Sequence, residues 1–230
     1  MTDESDYCES LVRESDKGRF LATLFAPASR RSDLLTLYAF DLETGAVAHR
    51  VRDPIAGEIR LQWWHDMLSR EGSAAGHPVV DALSALLHRH DIDRGIVLDL
   101  IDARRRALYA DEQIGEAEFE LAASENAGAV VRLAAQVLAG PPDDRTRLAA
   151  HHAGVAATAA QLAPDAAGFD AEAMSERHRD AVRALIPTLP GAVLPALLPL
   201  TLAVDDRMSL PQWRKQWILW RASKRLARWV

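Results

Sequence analysis

Acidic residues recur once per helical turn in one stretch of the chain, at the spacing that lets carboxylates share a divalent cation. Glu172, Glu176 and Asp180 are four residues apart, so on a helix they lie on one face. Magnesium prefers such hard oxygen ligands, usually one or two carboxylates together with phosphate oxygens. Basic residues are interspersed at Arg177, Arg179 and Arg183. A charge-balanced, exposed helix face is therefore the favoured interpretation, and an acidic metal clamp is the alternative.

Eight histidines raise the question of a transition-metal site, because imidazole suits zinc and related ions. His88 and His90 are two residues apart and His151 and His152 are adjacent, so on a helix the members of each pair diverge. No Cys/His cluster has zinc-site spacing, and the single Cys8 excludes an internal disulfide. The sequence therefore predicts no metal-binding histidine cluster and no cofactor.

The elements that must position these residues are helices. Half of the residues are apolar and a quarter are charged, which is typical of a globular domain. Leu and Ala dominate, and β-branched and aromatic residues are too sparse for a β protein. We expect one all-α domain over residues 1–230, with about nine or ten helices around a central cavity or core, and with helix starts at Asp33 and at Asp143 or Asp144. Besides two helices near Leu34–Tyr38 and Leu61–Leu68, helical periodicity covers about 78–90, 93–110, 116–139, 145–163, 170–186, 190–204 and 210–229.

The charge is distributed unevenly. The chain carries a net charge of −6, but its last 19 residues hold six basic and no acidic residues, which leaves −12 for the rest. An acidic body argues against nucleic acid as a partner. The longest apolar stretch, 191–204, is shorter than the roughly 20 residues that a membrane span needs. Because the N-terminal residues are acidic and polar, unlike a signal or transit peptide, we expect a cytoplasmic protein.

The C-terminal segment combines tryptophans with basic residues. Trp213, Trp217 and Trp220 form a helical stripe. The basic residues beside them are Arg214, Arg221 and Lys224. One interpretation packs the tryptophans against the acidic body of the protein. The other places this helix on an anionic membrane surface or a partner protein, because Trp with Lys and Arg suits the interface of such a membrane.

Residues 16–49, DKGRFLATLFAPASRRSDLLTLYAFDLETGAVAH, resemble the opening of the squalene/phytoene synthase family of prenyl transferases. Ala39-Phe40 and the later run Arg60-Leu61-Gln62-Trp63-Trp64 are similar to one branch, which contains a mitochondrial complex I assembly factor and its bacterial relatives. Weaker similarity follows at Asn126-Ala127-Gly128 and at His152–Ala156. The resemblance implies an isoprenoid-synthase fold.

The resemblance also implies a place for metal ions and diphosphate. In this family, D-x-x-x-D motifs on two helices bind magnesium, which neutralises a leaving diphosphate. Gly45 and His49 stand where the first motif has its aspartates, and Asp41 lies one turn earlier. In the second motif, Asp165 keeps the first aspartate and Phe169 replaces the last. Asp16 takes the place of a serine that contacts diphosphate, and its charge would repel that group.

Three hypotheses follow. The preferred one is a non-catalytic protein, without a cofactor, that assists assembly of respiratory complex I and lies peripherally on the inner face of the cytoplasmic membrane. The first alternative is a magnesium-dependent prenyl transferase with a rearranged site, built on Asp41 and Asp165, with Glu172 and Glu176 as optional further ligands. The second is an isoprenoid- or lipid-binding module whose cavity is bordered by Tyr38, Trp63 and Trp64, where core packing is the favoured role of the two tryptophans and the cavity role is the alternative.

Overall fold

The computed structural model describes residues 3–51, 53–70, 75–109, 114–162, 168–203 and 210–224. In these ranges the chain forms thirteen α-helical segments and no strand. The first seven are α1 (Asp3–Ser15), α2 (Lys17–Thr23), α3 (Ala28–Gly45), α4 (Val47–Arg50), α5 (Pro54–Ser69), α6 (Pro78–Arg89) and α7 (Arg94–Ala107). The others are α8 (Glu116–Ala123), α9 (Ala129–Ala139), α10 (Asp144–Ala159), α11 (Ala171–Leu185), α12 (Leu194–Leu197) and α13 (Gln212–Lys224).

Aspartates cap several of these helices. Asp143 accepts a hydrogen bond from the Thr146 backbone N–H at 2.8 Å, so the predicted start of α10 is confirmed. The prediction for Asp33 is wrong, since α3 already begins after Pro27, which fixes the backbone there. Asp33 is instead buried inside α3, where Arg89 and His90 donate to its carboxylate at 2.5 and 2.7 Å.

The segment predicted as one helix over 116–139 contains a π-helical turn, Ser124–Gly128, between α8 and α9. At this turn the backbone of α10 packs directly against the backbone of the π-helical segment. A Cβ added at Gly154 would lie 2.2 Å from the backbone nitrogen of Gly128, so no other residue fits there without displacing the backbone. The sequence elements around Gly128 and Gly154, which are weakly similar to the family, thus meet in the structure where the two helical segments cross.

The segment predicted as a helix over 190–204 is irregular. It comprises 3₁₀ turns at Gly191–Val193 and Leu198–Leu202 with the four-residue α12 between them. Pro195 and Pro199 explain the difference, because proline lacks the N–H that an α-helix interior needs. The segment still contributes buried leucines to the core.

One large hydrophobic cluster holds helices α1 to α7, α9 to α11 and α13 and the 190–202 segment together. A smaller cluster of Phe119, Ala123, Val155, Ala159 and Met174 lies between α8, α10 and α11. Cys8 lies in the large cluster, where burial raises its pKa to about 11. Among the described residues, no helix combines the length and apolar character that crossing a bilayer requires.

Candidate functional site

Asp41, near the C-terminal end of α3, lies between two arginines. Arg19 from α2 donates to its Oδ2, and Arg104 from α7 donates to its Oδ1. Only 14 % of the Asp41 side chain is exposed. Both carboxylate oxygens therefore already accept charge-assisted hydrogen bonds, which are the strong kind.

Gly45 lies beside the Arg104 guanidinium. A Cβ at this position would be 3.9 Å from Arg104 Cζ, so a longer side chain pointing this way would meet the guanidinium. Arg104 also donates to the hydroxyl of Thr44, which in turn donates to the Phe40 carbonyl oxygen at 2.7 Å. The arginine thus occupies the space next to a position that the family resemblance assigns to a metal-binding aspartate.

The charges in this cluster balance. Burial raises the pKa of Asp41, but the charges of Arg19 and Arg104 outweigh burial and hold that pKa below its usual range. Asp16 supplies the second acid, with its Oδ2 3.3 Å from Arg19 Nε. Burial lowers the pKa of Arg19, but Asp41 and Asp16 outweigh this and raise it overall. Two acids and two bases leave no excess charge of either sign to attract a cation or a diphosphate.

A cavity of about 110 Å³ opens beside this cluster. Its polar edge is formed by Asp16, Arg19, Tyr38 and Gln161, and the rest of its wall by small and aliphatic residues of α9, α10 and the 196–203 segment. Burial raises the pKa of Tyr38 to about 12, so its hydroxyl keeps its proton at neutral pH. Pockets for drug-sized ligands usually measure roughly 300–1,000 Å³, so this cavity among the described residues is smaller than such pockets.

The chain is similar to known proteins both in sequence and in fold. A family model described as squalene/phytoene synthase matches residues 12–168, more than half of the chain. The chain belongs to the squalene/phytoene synthase family. Its fold is similar to that of a dehydrosqualene synthase solved in complex with ligand, with a TM-score of 0.73, 15 % identity and coverage of 97 % of this chain and 96 % of that one. It is also similar to the squalene synthase HpnC from Alicyclobacillus acidocaldarius, with a TM-score of 0.60, 18 % identity and coverage of 98 % and 94 %.

The curated relatives carry a different description. This chain is 27 % identical over 152 residues to proteins of Bos taurus and Homo sapiens named NADH dehydrogenase (ubiquinone) complex I, assembly factor 6. The rat protein of the same name is 29 % identical over 154 residues. In each case the match covers 65 % of this chain and 45 % of the relative. The chain thus spans less than half the length of these relatives.

The family positions for metal and diphosphate are only partly brought together. Asp16 caps α2 by accepting from the Arg19 backbone N–H at 2.9 Å, and through Arg19 it joins Asp41. Phe169 lies elsewhere, with its ring 5.1 Å from that of Phe119 in the small cluster. The His49 side chain and Asp165 lie outside the described residues. At the described positions the residues do not fit a magnesium ion, because Asp41 is engaged by arginines and Gly45 has no ligand atom.

Arg19 and Arg104 are not among the site residues predicted from the sequence. Arg104 had a signal, since it follows Val97 and Ile101 at helical spacing on an otherwise apolar stripe of α7. A buried arginine needs a carboxylate partner, and Asp41 is one that packs within reach.

Trp63 and Trp64 do not line the cavity. Trp64 is buried and packs edge-on against Phe40, with ring centroids 5.7 Å apart. Trp63 is 38 % exposed and contacts the His77 ring. Of the three candidate cavity residues, only Tyr38 contributes to the wall.

The acidic face of α11 is exposed at Glu172, Glu176 and Asp180. Arg183 pairs with Asp180, and Arg179 lies 3.8 Å from Glu176. This arrangement fits the charge-balanced surface rather than a metal clamp.

On α13 the three tryptophans face outward: Trp213, Trp217 and Trp220 are 64, 48 and 54 % exposed. Ile218, Leu219 and Ala222 are the apolar residues that pack against the body. The interpretation that the tryptophans pack inward is therefore wrong. Arg214 and Arg221 lie over the rings of Trp213 and Trp217, at 5.1 and 4.5 Å. The outer face of α13 is aromatic and basic, and residues 225–230 lie outside the described part of the chain.

Three histidine side chains lie close together, although the sequence predicts no histidine cluster. His151 and His152 on α10 meet His178 on α11, and their ligand atoms all lie within 4.8 Å of one another. The adjacent pair was expected to diverge, but the packing of α11 onto α10 brings a third imidazole to both.

Proposed function

We propose that this protein is a non-catalytic member of its family that assists assembly of respiratory complex I at the inner face of the cytoplasmic membrane. The observation that carries the non-catalytic part is the engagement of both Asp41 oxygens by Arg19 and Arg104. Prenyl transfer of the family's kind needs carboxylates available to magnesium. Here a cation would have to displace the buried guanidinium of Arg104 and the partly exposed guanidinium of Arg19.

The cavity supports the same proposal. With about 110 Å³, it has room for a few waters or a small group beside Tyr38, and it is smaller than the usual pockets for drug-sized ligands. A small cavity in a fold similar to that of the synthases supports a non-catalytic role.

The assembly role rests on the curated relatives, which are named as complex I assembly factors. The outward face of α13 gives this role a surface. Exposed tryptophans flanked by arginines suit the interface of an anionic membrane, where the assembly of a membrane complex takes place.

A deletion strain tests the assembly role. In a host that encodes this chain, deletion should lower the amount of assembled complex I and the rate of membrane NADH oxidation. Wild-type protein should restore both, and a variant with Trp213, Trp217 and Trp220 changed to Ser should restore less. Normal complex I in the deletion strain would refute the role.

A second candidate is a magnesium-dependent prenyl transferase, which the match to a dehydrosqualene synthase over 97 % of the chain favours. Calorimetric titration with farnesyl diphosphate, with and without Mg²⁺, separates the candidates. No binding is expected in either condition. Tight magnesium-dependent binding would replace our proposal with the enzyme, and magnesium-independent binding would point to an isoprenoid-binding module.

A further inference from the structure

The convergence of three histidines between α10 and α11 is unrelated to the diphosphate chemistry of the family, which uses oxygen ligands. His152 Nδ1 and His178 Nδ1 are 3.0 Å apart. Two nitrogens bound tetrahedrally to zinc at about 2.0–2.1 Å lie about 3.3 Å apart. The pair therefore needs only a small separation to hold an ion between its nitrogens.

The surrounding helices fix this arrangement. The crossing at Gly128 and Gly154 presses α10 against the π-helical turn. Ser124 begins that turn, and its hydroxyl lies 2.8 Å from His151 Nδ1. On the other side, the buried Ser175 of α11 donates to the Ala156 carbonyl oxygen at 3.0 Å. The histidines are thus carried by packed helices rather than by mobile loops.

A carboxylate lies next to the three histidines. Glu120 Oε1, on α8, lies 3.1 Å from His151 Nε2 and 3.8 Å from His178 Nε2. Histidines that bind metals with one ring nitrogen commonly donate the other N–H to a carboxylate, which fixes the ring and raises its basicity. His151 Nε2 is within hydrogen-bond distance of Glu120, whereas His178 Nε2 faces Glu120 from 3.8 Å, beyond that distance.

The protonation state also suits a metal ion. Burial lowers the pKa of His152 to about 4, helped by the neighbouring imidazoles, and burial likewise lowers the pKa of His178. Neutral imidazole is the form that binds metals, and burial of these rings favours that form. His178 is buried, and His151 and His152 are partly exposed, so the cluster has access to solvent from one side.

We propose that His151, His152 and His178 form a binding site for a divalent transition-metal ion of the zinc type, with Glu120 as the carboxylate that orients the His151 ring. Imidazole nitrogen selects zinc, cobalt, nickel and copper over magnesium. The site would cross-link α10 to α11. A metal ion bound to His151 Nδ1 would replace the contact of that nitrogen with the Ser124 hydroxyl, while Nε2 keeps its contact with Glu120.

Metal titration tests the proposal. The full chain, stripped with a chelator, is titrated with Zn²⁺ by calorimetry and with Co²⁺, whose visible absorption reports its coordination. One Zn²⁺ per chain and a rise in melting temperature on zinc addition are expected, with no response to Mg²⁺. His152→Gln should weaken zinc binding at least 100-fold, and Glu120→Gln roughly 10- to 100-fold.

His88→Gln is the matched control, since His88 is exposed on α6 and should leave binding unchanged. His151→Gln, at a partly exposed position, is a second test that does not depend on the tolerance of the buried His178 to substitution. Absence of stoichiometric zinc binding, or equal binding by wild type and both histidine variants, would show only a hydrogen-bonded histidine group and overturn the proposal.

Discussion

Arg104 donates to the carboxylate of Asp41 across 63 residues of sequence, joining α7 to α3 inside the protein. This contact and the one from Arg19 pair the partly buried Asp41 carboxylate with the buried Arg104 and the partly buried Arg19. Removing one partner of such a network usually costs far more than an exposed ion pair contributes, because the remaining charge stays buried without compensation.

We therefore expect Asp41→Asn to lower the free energy of unfolding by roughly 3–5 kcal/mol. The amide keeps the shape of the carboxylate but cannot neutralise Arg19 and Arg104. Urea unfolding measures the effect. Arg106→Met is the control, because Arg106 pairs with Glu125 on the surface and its loss should cost less than about 1 kcal/mol. Equal costs for the two variants would contradict this account of the cluster.

The contribution of Asp41 should depend on pH. Its pKa in the folded protein lies below the ordinary 3.8, since the arginines outweigh burial. Its stabilisation is thus fully present above pH 3.8 and is lost as the pH falls through the folded pKa. The difference in unfolding free energy between wild type and Asp41→Asn should be constant from pH 7 to about pH 5 and shrink below pH 3.8. A difference that is unchanged at pH 3 would rule out this linkage.

The crossing of α10 over the π-helical turn should tolerate no side chain at Gly154. We expect Gly154→Ala to destabilise the protein by about 3 kcal/mol or more, since its Cβ would lie 2.2 Å from the Gly128 nitrogen, in backbone rather than in a flexible side chain. Gly191→Ala serves as the control, because nothing lies within 4 Å of its added Cβ, and we expect a change within about 1 kcal/mol. Thermal unfolding of both variants distinguishes them, and similar melting temperatures would refute the close crossing.

The two faces of α13 should separate stability from surface binding. Changing Trp213, Trp217 and Trp220 together to Ser should abolish sedimentation with vesicles rich in anionic lipid, with a small effect on stability, because these side chains face outward. Leu219→Ala, on the buried face, should instead cost about 2–5 kcal/mol. Binding by the folded protein should weaken with added salt. A triple variant that still binds such vesicles would exclude this face as the membrane contact.

Helical periodicity in the sequence was sufficient for the all-α class, because apolar residues at helical spacing bury one face whatever their partner. It was not sufficient for the π-helical turn at Ser124–Gly128, which depends on the contact of Gly128 with α10. Helical periodicity is also misleading at 190–204. The apolar residues there predict one helix, but Pro195 and Pro199 interrupt it.

The site was harder to predict, since its contacts join distant segments. Resemblance to the family indicates that Asp16, Asp41 and Gly45 belong to the site. It does not predict which side chains from other helices contact them. The guanidinium that contacts Asp41 belongs to Arg104, on the distant helix α7. The histidine cluster likewise needs α11 to pack on α10, and no spacing within one helix reveals it.

The burial of Cys8 has a practical consequence. Because the only thiol of the chain is enclosed on α1 and its pKa is raised to about 11, little reactive thiolate is present at neutral pH. The folded protein therefore presents no native cysteine to a thiol-directed probe. A single Gln216→Cys substitution, at an exposed position of α13, would attach a fluorophore beside the tryptophan face without prior removal of Cys8, giving a direct optical report of whatever surface that helix meets.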